Sequence, residues 1–306
     1  MFNFRATILH IAAIAIHTAP AFAQTTPTGT IEQDIAKRIK KTNEKDFISL
    51  SVENDMLGGG TDRYYTSGVR LTWFNVSTPV PPVIDKLADN IPTFDLNETT
   101  STFFTIGQNL YTPENIKIAS NQNNDRPWAG FLYSSVGVAT LEDNHIDELE
   151  VTLGVAGPEA LGEQTQKFVH KEISNSPTPR GWKNQIDFEP GLILSAARRW
   201  PRFYHEEHAG FRLTAEPNIN ASIGNIYTYA GAGMSLSLSP DDGALRDKPP
   251  RVRPAMPGSG YFETPENGMG WVLFAGLDAR AVARDIFLDG NTFKDSHNVD
   301  KNHFIA

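Results

Sequence analysis

The chain has 306 residues with 27 Lys and Arg against 36 Asp and Glu, a net charge of −9, and no cysteine. The missing cysteines exclude disulfide staples, thiolate metal sites and a cysteine nucleophile, and the acidic balance argues against a nucleic-acid binder. Past the N-terminus no apolar run reaches the ~18 residues of a spanning helix. A transmembrane barrel stays open, because its strands show only alternate residues to lipid.

Residues 1–23 read as a secretory leader: Arg5 supplies the basic start, Ile8 to Ile16 a short apolar stretch, and Ala21-Phe22-Ala23 a small-x-small cleavage site before Gln24. Its removal takes Arg5 and no acid, leaving the remainder one unit more negative. Residues 24–45 are polar and predict a loose or helical extension. Residues 46–306 carry the fold.

From Asp46 onward the pattern has period two. Ile48, Leu50 and Val52 alternate with Ser49, Ser51 and Glu53. Val69, Leu71 and Trp73 alternate with Arg70 and Thr72. The same holds for Leu149 to Val155 and for Phe211 to Ala215. Each run predicts a strand with one apolar and one polar face. Periodicity alone does not say whether the polar face meets bulk water, as in a soluble sandwich, or the lumen of an outer-membrane barrel. Three features favour the barrel. The runs approach the ~9–11 residues of a spanning strand. Aromatics such as Trp73, Trp128, Tyr133, Trp200, Tyr227 and Trp271 gather at run ends, as interfacial girdles do. The leader points to export. The fold class is therefore all-β, an antiparallel transmembrane β-barrel, with about ten strand runs visible.

The densest polar segment spans Ser51 to Trp73. Glu53-Asn54-Asp55 ends one strand, Gly58-Gly59-Gly60 turns the chain, and Thr61 to Gly68 opens the next. Its carboxylate, amide and hydroxyl oxygens are the donor types Ca²⁺ takes, but the spacing is not that of an EF-hand, and a polar hairpin fits equally.

One stretch breaks the strand pattern. Gly157-Pro158 opens a helical segment over about 159–173, since proline near the first turn is a start signal. Leu161, Thr165, Phe168 and Val169 form its rough apolar stripe. Gln166 and His170, four apart, share a face. That pair is either functional or a solvated turn, and spacing does not decide. His205 and His208 sit in a charged stretch and are expected in solvent. Pro-rich turns mark long loops at Pro79 to Pro82, Pro177 to Pro179 and Lys248 to Pro257, the last long enough for an extracellular loop. No Gly-x-Ser-x-Gly elbow, HExxH zinc motif or phosphate-binding glycine loop is present.

Six blocks in order, ENDMLGGGTDRYYTSGVRLTW, GQNLYTPENI, DRPWAGFLY, LGVAGPEALGEQTQKFVH, GWKNQ and DGNTF with DSH, resemble the lipid A 3-O-deacylase family of Gram-negative outer membranes, from about Phe47 to the C-terminus. The resemblance implies a barrel of about twelve strands and calcium-dependent hydrolysis of the 3′-linked acyloxyacyl ester of lipid A near the outer leaflet. Carried over by motif, Asn54 and Asp55 match the residues at the calcium, Thr66 a site hydroxyl, and His170 the catalytic histidine, with Gln166 one turn before it. The family's cationic site residue falls on Lys117, with Arg126 as the alternative. Glu172 and Glu189 are the candidates for a supporting acid. The chain stops at His303 to Ala306 as an apolar run begins, so a barrel incomplete at this end is expected.

The implied chemistry is direct attack by water. Imidazole is the side chain suited to take up a proton near neutral pH, and a bound Ca²⁺ would stabilise the oxyanion. A Thr66 or Ser67 nucleophile activated by His170 is the competing scheme. The competing functions are an outer-membrane phospholipase-like esterase and a non-catalytic structural or pore barrel.

Overall fold

The computed structural model describes residues 30–41, 45–54, 67–91, 93–174, 176–248, 258–259, 261 and 269–305. The leader lies outside them. Among the described residues eleven strands form one antiparallel sheet: β1 Asp46–Asn54, β2 Ser67–Asn75, β3 Ser101–Tyr111, β4 Ala129–Glu142, β5 His145–Ala156, β6 Glu189–Arg199, β7 Tyr204–His208, β8 Phe211–Gly224, β9 Tyr227–Pro240, β10 Leu273–Asp285 and β11 Phe304–Ile305. Each pairs with its neighbour in sequence, except that β7 is a side strand on β8, which itself follows β6. His205 and His208 thus stand on an exposed strand rather than a loop.

The burial pattern is inverted relative to a soluble sheet. Leu50, Leu71 and Ile106 are register partners across β1, β2 and β3 and all face outward, Ile106 with 64% of its surface exposed. Leu153 and Leu192 continue the outward row on β5 and β6. The alternate residues Arg70, Glu150, Arg199 and Glu216 are buried. An apolar exterior this extensive is not sustained in water, whereas lipid requires it. This decides between the two readings the strand periodicity allowed. Among the described residues no helix is long and apolar enough to cross a membrane.

Ion pairs fill the interior. Arg70 lies 3.4 Å from Glu150, and its Nε donates to Thr72 at 3.2 Å. Farther along the lumen Arg199 meets Asp247 at 2.8 Å, Glu216 at 3.5 Å and Glu148 at 3.6 Å. Lys248 is bonded to Glu216. Asp247 comes from the connection after β9, which therefore folds back into the barrel. That connection leaves at the end opposite His170. Residues 249–257 lie outside the described residues.

Helix α1, Ile31–Lys41, is the helical form of the polar extension. It lies across the same end: Arg38 donates to the Gly243 carbonyl at 3.2 Å, Arg202 approaches Asp34 at 3.5 Å, and the Glu32 carboxylate accepts from the Asp143 amide at 2.8 Å. Helix α2, Pro82–Ala88, packs Ile84 and Ala88 over Val138 and Leu149 on the outer wall.

Candidate functional site

Five of the motif blocks meet at one end of the barrel. There β5 runs out at Ala156 and Gly157 turns the chain with φ 95°; a Cβ at Gly157 would stand 2.6 Å from the Asp187 carbonyl, so only glycine fits. Pro158 opens a single 3₁₀ turn, Leu161 takes a left-handed φ of 58°, and helix α3 covers Gly162–Phe168. The chain then widens into a π-turn over Val169–Ser174. The expected continuous helix over 159–173 is thus three short pieces, because left-handed Leu161 breaks the first junction. The apolar stripe is also reversed: Leu161 and Phe168 are exposed, and the buried positions are Ala160, Gly162, Gln166 and His170. At the rim of a barrel the apolar face of such a turn belongs outside, and its polar face looks into the fold.

The buried pair is oriented atom by atom. The Trp182 indole N–H, which can only donate, bonds to Gln166 Oε1 at 2.7 Å. This sets the amide and leaves the Gln166 Nε2 donors buried, with no hydrogen-bond partner among the described residues. His170 Nδ1 lies 2.6 Å from the Pro177 carbonyl. A carbonyl only accepts, so Nδ1 carries the proton; in the neutral ring the lone pair then falls on Nε2, the tautomer of a general base. The π-turn makes this contact reachable: Ser176 N–H bonds back to the His170 carbonyl at 3.0 Å, which brings Pro177 against the ring. Such widened turns recur at functional sites.

The other blocks form the bed beneath. Gln108 Nε2 donates to the Ala160 carbonyl at 2.6 Å, tying β3 to the turn. Trp128 and Trp182 pack at 5.2 Å between centroids, with Leu110 and Ile116. A Cβ at Gly162 would fall 2.6 Å from the Trp182 ring, so this glycine sets how closely α3 approaches the indole. Asn291, from the DGNTF block, accepts from the Asp187 amide at 2.9 Å and donates to Glu189 at 3.2 Å, while Thr292 N–H donates to Glu189 at 2.7 Å. Tyr111 stacks on Phe287 at 4.0 Å, and its hydroxyl bonds to that of Tyr227.

The family model described as outer membrane protein LpxR matches residues 9–306. The chain belongs to the LpxR family. This is the lipid A 3-O-deacylase family that the motif blocks resemble, and its outer-membrane description agrees with the inverted wall. A solved structure, LpxR from Salmonella typhimurium, matches with a TM-score of 0.63 at 22% identity over 84% of each chain, a likeness of fold. No curated protein matches.

Against this LpxR-type barrel the residues proposed from sequence separate into three groups. Gln166 and His170 are brought together and buried. Asp55 and Thr66 lie outside the described residues; Asn54 ends β1 opposite Ser67, and its side chain also lies outside them. The third group is placed elsewhere. Lys117 is exposed on the connection from β3 to β4. Arg126 is buried over the Tyr111 ring at 5.3 Å; burial pushes its guanidinium down, and the Asp285 carboxylate works against that. Glu172 is turned outward and pairs with Lys171 at 2.8 Å. Glu189 is held by Asn225, Asn291 and Thr292 as a structural acceptor. Sequence reasoning missed Trp182 and Pro177 as the groups that orient the pair. The GWKNQ block carried a signal for the first. A backbone carbonyl carries none.

Proposed function

We propose that this protein is a lipid A deacylase that hydrolyses the 3′-linked acyloxyacyl ester with water activated by His170. The observation that carries the reading is the buried His170 with Nδ1 bound to the Pro177 carbonyl, set beside a Gln166 amide whose donors have no acceptor among the described residues. In this scheme Nε2 takes a proton from water as the oxygen adds to the ester carbonyl. The Gln166 Nε2 donors face the developing oxyanion. Collapse breaks the bond to the sugar oxygen, the imidazolium returns its proton to that oxygen, and a fatty acid and a sugar hydroxyl leave. Asn54 and Asp55 bring amide and carboxylate oxygens, a donor set that suits Ca²⁺, which would polarise the carbonyl when bound. Thr66 stands in the same block as a hydroxyl that positions substrate, and Lys117 reaches for the phosphates of lipid A from its exposed loop.

The pore reading is disfavoured by the lumen, which Arg70–Glu150 and the Arg199 cluster fill, and by α1 across one end. The test is mass spectrometry of lipid A from cells expressing the protein. Loss of the acyloxyacyl group by wild type and retention by His170→Ala are expected. Unchanged lipid A with wild type, or full deacylation by His170→Ala, overturns the reading, and cleavage of glycerophospholipids instead would mark a phospholipase.

A further inference from the structure

At the end of the barrel opposite His170, the β4–β5 hairpin turns on two residues, Asp143 and Asn144, with Asp143 at φ 50°. Glu142 and His145 are register partners across that turn, and Asp147 follows His145 by two, so all three side chains share the outward face of the wall. They converge. His145 Nε2 lies 3.5 Å from Glu142 Oε2 and 3.5 Å from Asp147 Oδ2. Both His145 Nε2 and Glu142 Oε2 are shut off from solvent, and neither has a hydrogen-bond partner among the described residues.

We propose that Glu142, His145 and Asp147 form a binding site for a divalent metal ion of the zinc class, separate from the candidate catalytic centre. The spacing is too long for the hydrogen bonds a protonated imidazole would make to two carboxylates, about 2.7–3.0 Å. It matches the edge of a metal tetrahedron, since bonds of about 2.0–2.2 Å at the tetrahedral angle place ligand atoms roughly 3.3–3.6 Å apart. The imidazole donor selects against Ca²⁺ and Mg²⁺, which take oxygen. Arg198 grips Asp147 through Nε at 2.6 Å and Nη2 at 2.5 Å. It orients the carboxylate as an outer partner of a ligand does, and with the two acids it leaves the cluster one negative charge in excess. The fourth position is left for water. The His145 and Ala156 ends of β5 are eleven residues apart, roughly 35 Å at the usual strand rise, so the two centres do not share ligands. The bound ion would pin the hairpin on which α1 rests through Glu32 and Asp143.

The experiment uses the full chain folded in detergent, stripped with EDTA, dialysed and titrated with Zn²⁺ and with Co²⁺, whose visible spectrum reports tetrahedral nitrogen and oxygen ligation. Wild type and His170→Ala are expected to take up an ion with the tetrahedral spectrum, not displaced by excess Ca²⁺. His145→Ala should lose that uptake. Glu142→Gln should weaken it at least as much as the roughly 10–100-fold that outer-partner losses cause, which keeps the test decisive if one variant folds poorly by heat-modifiable gel mobility. No uptake by wild type, or undiminished uptake by folded His145→Ala, overturns the site. Neither result bears on deacylation.

Discussion

Trp182 and Gln166, sixteen residues apart, are joined by an indole N–H donating to an amide oxygen at 2.7 Å. The bond sets which end of the amide is left to donate. Trp182→Phe keeps an aromatic ring at this buried position but removes the indole N–H and frees the amide to rotate. In the proposed scheme kcat should fall by about 10–100-fold, within the range of a lost oxyanion donor, while KM and heat-modifiable mobility change little. Steady-state kinetics on purified lipid A checks this. An unchanged kcat removes Gln166 from the chemistry.

Chelation should stop the reaction. With EDTA deacylation is expected to drop to background and to return with Ca²⁺, and Asp55→Asn should need far more Ca²⁺ for half-maximal rate, since the proposed calcium site would then offer a neutral amide oxygen in place of a carboxylate. Activity that persists in EDTA after dialysis would sink the calcium assignment.

The lumen cluster has a pH dependence of definite sign. Burial works to raise the Asp247 carboxyl, but Arg199 and Lys248 outweigh it, with bonds from Ser259, and hold it well below the usual carboxylate range. A carboxyl lower in the folded state than its unfolded value near 3.9 contributes stability that is complete above about pH 5 and is lost as pH falls toward the lowered value. Asp247→Asn should therefore lower the unfolding temperature at pH 7, by an amount worth about 1–3 kcal/mol, and the gap to wild type should narrow below about pH 4. Thermal gel-shift assays at the two pH values measure it; a gap that widens in acid contradicts the assignment.

Ile106 lies at the middle of β3 and faces outward. Ile106→Arg should reduce folding into bilayers by about 2–4 kcal/mol, the midplane value for a lipid-facing arginine, whereas Ile106→Leu should be neutral. Equal folding of the arginine variant into vesicles would show that this face does not meet lipid.

How much was legible beforehand differs by element. The alternation in β1, β2 and β5, the turn at Gly157-Pro158 and the four-residue spacing of Gln166 and His170 were determined by the sequence alone, because strand and helix periods are local properties of the chain. The motif blocks added the family. Which strand face looks inward was decided only by how the sheet curls and packs: a period of two is identical whether its apolar side meets a core or lipid. The same ambiguity reversed the stripe of Leu161 and Phe168, which are exposed while Gln166 and His170 are buried. Lys117 proved exposed and Glu172 turned away because loop side-chain direction depends on how distant strands are spaced. Trp182 and the Pro177 carbonyl reached their partners only through the tertiary fold, since a hydrogen bond to a backbone oxygen depends on position and is indifferent to the side chain that position carries.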